Sequence, residues 1–221
     1  MLANEGDTEP ARLLLASASP RRRELLASLR VPFEVMPSEV VEDTAPLQTE
    51  SAEQFAVRLA WQKATAVASL NPEDLVLAAD TIVVLDGRVL GKPADVNEAA
   101  VMLRALRGRQ HKVITGVFIV QLSSGLQIAT SDQTVVTFRE YTDQEIAAYV
   151  ATGDPLDKAG AYGVQSQSFH PAKDIEGCYF NVMGLPLCVV AQLLLRADMD
   201  IIVSGFTPPD SCRLADCSLL S

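Results

Sequence analysis

No apolar run in this chain of 221 residues approaches the ~20 residues of a membrane-spanning helix. Histidine is scarce, at two, and the four cysteines (Cys178, Cys188, Cys212 and Cys217) form no C-x-x-C pair. Structural zinc sites need such residues at short, regular spacings, so none is expected, and the cysteines are expected as reduced thiols. Positive charge is in deficit: the formal net charge is -10. Nucleic-acid and anionic-membrane binders rest on basic surfaces, so neither partner is expected. An anionic ligand would have to be held by a local cluster of cations. No internal repeat and no interdomain linker is visible.

Hydrophobic residues supply 48% of the chain, which allows one sizeable core. The first stretch, 1–11, is acidic and polar without a secretory pattern and reads as a flexible leader. Residues 12–197 carry the regular hydrophobic patterning of one domain. Residues 198–221 mix a short apolar run with Pro208-Pro209 and read as a tail with little structure of its own. The expected location is the cytoplasm.

The most apolar segment is Leu75–Leu85, bounded by Asn71-Pro72 and Asp86-Gly87. Its β-branched content and its turn boundaries predict a strand covered on both faces. Asp80 stands in its middle, where a carboxylate needs a cation, a metal or hydrogen-bond donors. Two readings stay open: an acid that caps a neighbouring helix, or an acid at the floor of a catalytic cleft. The Asp86-Gly87 pair predicts a hairpin that returns through Arg88-Val89-Leu90 and holds Lys92 close to the Asp80 strand.

Upstream, Arg12–Ala16 reads as a short buried strand. Ser19 is a helix N-cap, with Pro20 at the first helical position. Arg21, Arg22 and Arg23 then crowd a helix N-terminus that prefers anions, which makes a phosphate site there or, failing that, a solvated basic turn. Pro32–Met36 is a second strand, and the acids of the loop after it, Glu39, Glu42 and Asp43, are either simply solvated or within reach of the same cleft, where a metal would need them. Ser51 and Gln54 form a capping box for a helix that runs to about Leu70. Phe55, Leu59, Lys63 and Val67 share one face of it. Lys63 there either snorkels to solvent or points at a ligand phosphate. A helix from Asp95, strands over Lys112–Leu122 and Leu126–Phe138, and a helix capped by Thr142 and Glu145 follow. The segment Asp157–Gln165 packs small residues and two charges around Tyr162 and permits close approach to a ligand. The last helix ends near Arg196.

Five stretches together carry a resemblance. They are Ala16-Ser17-Ala18-Ser19-Pro20-Arg21-Arg22, Ala79-Asp80-Thr81, Gly91-Lys92-Pro93, Asp157-Lys158-Ala159-Gly160-Ala161-Tyr162-Gly163-Val164-Gln165 and Asn181-Val182-Met183-Gly184-Leu185-Pro186. In this order they resemble the Maf family of nucleoside triphosphate pyrophosphatases. The resemblance implies an α/β fold with a mixed, strongly twisted central sheet, flanking helices and two lobes around a cleft, similar to inosine triphosphate pyrophosphatases. It implies hydrolysis of a nucleoside triphosphate to the monophosphate and pyrophosphate, with Mg²⁺ or Mn²⁺ as cofactor. Asp80 matches the catalytic base. Arg22, Thr81 and Gln165 match the residues of the subgroup assigned to dTTP and UTP. Ser19, Arg21, Lys63 and Lys92 would bind phosphates, and Glu42 with Asp80 would hold the metal. The nucleoside triphosphate is the expected partner, and a homodimer is left open. Two other readings remain at this stage: a pyrophosphatase for modified purines such as 7-methyl-GTP, and a nucleotide-binding regulator of cell division. The family usually continues after Gln165 with glycine-rich sequence, where this chain has Ser166-Gln167-Ser168-Phe169-His170-Pro171.

Overall fold

The computed structural model describes residues 11–40, 46 and 49–199; Glu42, the leader up to residue 10 and the tail from residue 200 lie outside them. The described chain runs through strand β1 (Leu13–Leu15), helix α1 (Pro20–Ser28), β2 (Glu34–Val35), α2 (Ala52–Ala68), β3 (Leu75–Leu85), β4 (Arg88–Leu90) and α3 (Val96–Leu106). It continues through β5 (Gln110–Gln121), β6 (Leu126–Phe138) and α4 (Asp143–Val150) to two 3-10 turns at Asp154–Asp157 and Ala159–Ala161. The last elements are β7 (Ala172–Glu176), α5 (Tyr179–Met183) and α6 (Leu187–Arg196). No described helix is long and apolar enough to cross a membrane.

Local chemistry sets most of these boundaries. Gln54 N–H donates to Ser51 Oγ at 3.2 Å and Ser51 N–H to Gln54 Oε1 at 2.9 Å, closing the capping box of α2. Thr142 and Glu145 do the same for α4. Asp86 and Gly87 both take left-handed φ, 49° and 76°, as the tight hairpin between β3 and β4 requires. Two elements, β7 and α5, have no counterpart in the sequence reading. β7 reads Ala-Lys-Asp-Ile-Glu, without alternation, and is a mostly exposed edge strand. The second strand is shorter than Pro32–Met36: only Glu34 and Val35 pair with β1. Met199, assigned to the tail, donates its N–H to Leu194 O at 3.0 Å and packs against the core beside α6.

The strands form one mixed sheet of order β2-β1-β3-β5-β6-β7, with β4 also on β3. β1 runs parallel to β2 and β3, and the other pairings are antiparallel. Flanking helices cover both faces, as expected for this class. Along one edge β3 pairs with β1 only through Leu75–Leu77 and with β4 only through Val83–Leu85. Ala78–Ile82 therefore has a strand partner on the β5 side alone. Such a break in pairing is where α/β sheets open a crevice.

The core divides at the same point. Leu75, Leu77 and Ala79 pack with α1 and α6, while Val76 and Ala78 face the C-terminal half of α2. Beyond the break, Val83 and Leu85 pack with α3 and α4, and Ile82 and Val84 with the N-terminal half of α2. Asp80 and Thr81 sit at the seam and belong to none of these clusters. Two lobes thus share one sheet, with a cleft between them.

One contact holds α2 close over that seam. Gly116 on β5 is the cross-strand partner of Asp80. A Cβ on Gly116 would lie 2.3 Å from the Ala56 carbonyl carbon and 2.4 Å from Val57 N. A stripe of alanines, Ala56, Ala60, Ala64 and Ala68, runs along the buried face of α2 between Phe55, Leu59 and Val67, and at Ala56 helix backbone rests on sheet backbone. Gly116→Ala should therefore force α2 outward and destabilise the protein by about 3 kcal/mol, as overpacking of a tight core does. Urea unfolding measures this, and a variant of unchanged stability would show that α2 is not seated on Gly116.

Candidate active site

The cleft is built from the turn before α1, the middle of β3, the hairpin after it and the 3-10 segment. Ser19 caps α1 by accepting the Arg22 N–H at 3.4 Å, as its N-cap assignment requires. That cap sets Arg21 and Arg22 on the first helical turn. Arg22 turns back into the protein: its Nε donates to Gly184 O at 2.8 Å and its second terminal nitrogen to Thr81 Oγ1 at 3.1 Å. Gly184 has φ 111°, and a Cβ there would stand 3.4 Å from Thr81 Oγ1, so glycine suits this position on both counts. Arg21 reaches across the cleft to Asp157 at 3.6 Å.

Strand alternation sends Asp80 and Thr81 to opposite faces of β3. Asp80 Oδ1 meets Lys63 Nζ on α2, and both side chains are largely buried, at 13% and 12% exposure. Lys63 therefore does not snorkel: it stays on the apolar face of α2 and neutralises the acid of the central strand. This outcome removes the helix-capping reading of Asp80.

A cavity of about 910 Å³ opens on these groups. It is lined by every described residue that sequence reasoning placed at the site: Ser19, Arg21, Arg22, Lys63, Asp80, Thr81, Lys92 and Gln165. Lys92 stands exposed at the rim after β4, and Gln165 is half-buried beyond the 3-10 segment. Glu42 lies outside the described residues. Arg88 and Lys158 also line the cavity, so six cations and three carboxylates (Glu50, Asp80, Asp157) face it among the described residues. A chain of strongly negative net charge has thus gathered the local positive cluster that an anionic ligand needs. Among the described residues no cluster of three or more His, Cys, Asp or Glu side chains stands ready for a metal ion.

Lys158 has a structural role that the motif around it does not reveal. It is 7% exposed, and its Nζ donates to Asp154 O at 2.5 Å and to Asp154 Oδ1 and Asp157 Oδ1 at 2.7 Å each. Burial pushes the Asp154 carboxyl up, but hydrogen bonds from Lys158 and Tyr149 outweigh it and hold the group below its usual range. Tyr149 also accepts the Gly163 N–H at 3.0 Å. The lysine thereby fixes the loop that carries Tyr162, Gly163 and Gln165. The i, i+4 spacing of Asp154 and Lys158 was the available signal for this role.

Aromatic rings back that loop. Tyr162 packs edge-on against Phe138 at 4.6 Å, and Tyr149 stacks on Phe169 at 4.4 Å. The departure at Ser166–Pro171 has a local reason. Ser166 Oγ accepts the Phe169 N–H at 3.3 Å and Ser166 O the His170 N–H at 3.1 Å, a turn that delivers Phe169 into the aromatic cluster. His111 Nε2 lies 2.7 Å from the Tyr162 hydroxyl in the same cluster.

A family model described as Maf-like protein matches residues 12–197. A protein named dTTP/UTP pyrophosphatase from Moorella thermoacetica is 51% identical over 191 residues, which cover 86% of this chain and 97% of that protein. One of the same name from Koribacter versatilis is 49% identical over 185 residues, covering 84% and 94%. The solved structure of the Staphylococcus aureus Ham1 protein is 13% identical, with a TM-score of 0.46, and covers 85% of this chain and 99% of that one.

Burial pushes the His111 imidazole down to about 4, against a smaller opposing effect of the Arg109 backbone. The unfolded chain binds a proton near the ordinary value of about 6.5, so it takes up more protons than the folded protein between the two values. Stability is therefore full above about 6.5 and is lost as pH falls towards about 4. Between pH of about 7.5 and 5, this one group should remove about 2 kcal/mol of unfolding free energy. Denaturant titrations of the wild type and of His111→Gln at both pH values isolate that share. An equal pH dependence in the two proteins would rule out His111 as its source.

Proposed function

Because the chain belongs to the Maf family, we propose that it hydrolyses dTTP and UTP to the nucleoside monophosphate and pyrophosphate. The observation that carries this reading is the Asp80–Lys63 pair at the seam of the two lobes, inside a cavity ringed by Arg21, Arg22, Arg88, Lys92 and Lys158. Phosphoryl transfer asks a protein chiefly for positioning and for neutralisation of negative charge. The cations supply the second: Arg21, Lys63, Arg88 and Lys92 come from α1, α2 and the hairpin of β4, so a bound triphosphate is gripped from several sides, while the three Lys158 donors stay on Asp154 and Asp157.

Asp80 serves as the base. Lys63 holds its Oδ1, and its Oδ2 carries no partner among the described residues. Asp80 takes a proton from the attacking water as the new P–O bond forms at the α-phosphorus. The bond from the α-phosphorus to the bridging oxygen breaks, and pyrophosphate leaves with that oxygen. Lys63 keeps the carboxylate at a fixed angle and compensates its charge beside an anionic substrate. Arg22 positions Thr81 and the Gly184 carbonyl, so its part in substrate binding is first to shape the pocket wall.

A divalent cation fits this donor set as Mg²⁺ fits most triphosphate sites, held by one or two carboxylates together with substrate phosphates. Asp80, with Glu42, would hold it, and it would supply Lewis-acid stabilisation of the phosphate charge. The small residues Gly163 and Ala159, with Gln165, leave the base room against the wall of Tyr162.

Asp80→Asn keeps the volume and still accepts from Lys63 but cannot take a proton. It should fold, and its kcat should fall by about 10²–10⁴-fold. Pyrophosphate release measured across dTTP, UTP, CTP, GTP and 7-methyl-GTP should rank the first two highest in kcat/KM. A folded Asp80→Asn protein with near-normal turnover would remove Asp80 as the base. A panel led by 7-methyl-GTP would overturn the substrate assignment.

A further inference from the structure

Behind Thr81 the wall of the cleft is a chain of hydrogen bonds. Thr81 Oγ1 lies 2.9 Å from Thr115 Oγ1, its cross-strand neighbour on β5. Thr115 Oγ1 in turn donates to the main-chain carbonyl of Asn181 at 3.1 Å. A carbonyl oxygen only accepts, and a hydroxyl has one proton. With its proton on that carbonyl, which also accepts the Gly184 N–H at 2.9 Å, Thr115 has none left for Thr81, and in this arrangement Thr81 donates to Thr115. Arg22 donates to the same Thr81 oxygen. The Thr81 hydroxyl therefore offers the cavity a lone pair and no proton.

The far end of the chain cannot turn to release this arrangement. Asn181 and Thr115 are fully buried, so no solvent competes for their bonds. The Asn181 side-chain amide donates to Val113 O at 3.0 Å and to Thr134 Oγ1 at 2.9 Å. Thr134 Oγ1 donates to Cys178 O at 3.1 Å. These bonds tie α5 to β5 and β6 and hold the Asn181 carbonyl in place.

We propose that Thr115 is a positioning residue that fixes the polarity of Thr81, so that the cleft reads a hydrogen-bond donor on the base, the ring imide N–H of uracil and thymine. The proposal rests on the dTTP/UTP reading above. Cytosine presents a lone pair at that ring position, and two acceptors face to face leave both unpaired. Gln165 alone cannot make the distinction, because its amide carries a donor and an acceptor and can turn to suit either base. A hydroxyl free to rotate would be equally permissive. Discrimination against cytosine thus comes from the hydroxyl that Thr115 has locked.

The test is the ratio of kcat/KM for UTP over CTP in the wild type, Thr115→Val, Thr115→Ser, Thr81→Val and the Thr81/Thr115 double valine variant. Both substrates see the same fraction of folded enzyme, so a loss of stability alone does not move the ratio. Thr115→Val unlocks the Thr81 proton, and the ratio should fall about tenfold, mainly through a lower KM for CTP. Thr115→Ser keeps the hydroxyl and should keep the wild-type ratio. Thr81→Val should lose the ratio as well, with no further loss in the double variant. A folded Thr115→Val protein that retains the wild-type ratio overturns the proposal. Should Thr115→Val not fold, a retained ratio in Thr81→Val or a lost one in Thr115→Ser overturns it. A wild type that turns over neither UTP nor dTTP overturns the functional reading and this proposal together, whereas retained UTP preference in Thr115→Val overturns this proposal alone.

Discussion

The approach of α2 to the sheet is the constraint on which the cleft depends. Helices usually stand off a sheet because side chains fill the space between them. Here Gly116 and the alanine face of α2 remove those side chains, and the two backbones meet. Lys63, two turns along the helix from Ala56, then lies within reach of the acid in the middle of β3. A lysine and an aspartate buried so far cost several kcal/mol each in lost hydration, and mutual neutralisation recovers that only at short range. A pair of this kind is weak evidence of stability by itself. Its position at the one stretch of β3 that lacks a second strand partner is what marks it as a working site.

The arginines before α1 raise the opposite problem. Cations at a helix N-terminus oppose its dipole, and no acidic residue occupies the first turn of α1. The fold answers with acceptors from elsewhere: Gly184 O and Thr81 for Arg22, Asp157 for Arg21. The Arg21 contact crosses from α1 to the 3-10 segment of the other lobe, and the Arg22 contacts run to the seam and to the loop before α6, so the charges that would bind an anion also stitch the cleft together. Arg21 and Asp157 are both partly exposed, and an exposed ion pair is worth little. A triphosphate can displace that contact at small cost, whereas the Arg22 contacts belong to the wall.

Much of this was legible in the chain. Leu75–Leu85 gave its own boundaries because an unbroken β-branched run between turn signals has few alternatives. Both capping boxes and the Asp86-Gly87 hairpin were equally plain, since each depends on residues within four positions. Seven of the eight described site residues lie in the quoted motifs, Lys63 is read from the shared face of its helix, and the cavity gathers them all. What stayed hidden depends on distant partners. Nothing local says that Lys63 faces Asp80 and not solvent, because that follows from Gly116, which lies 53 positions from Lys63 in the chain. β7 is stabilised by its pairing with β6 and not by its own composition. The acceptor of Arg22 stayed hidden because Gly184 is 162 residues away.

Register joins the fold to the chemistry. Asp80 and Thr81 are neighbours on one strand, and alternation sends one to Lys63 and the other to Arg22 and Thr115. A slip of one residue would exchange them, placing the hydroxyl under the lysine and the carboxylate against the buried threonine. The ladder from Val76 to Val84 against β5 opposes that slip through nine consecutive pairs. Gly116 opposes it more sharply. Only in the observed register does the residue without a side chain lie beneath Ala56, while its neighbours Thr115 and Val117 point to the other face of the sheet. Shifting β5 by one position would drive a threonine or a valine into the backbone of α2. The glycine that lets the helix descend is therefore also the residue that decides which side of β3 carries the acid.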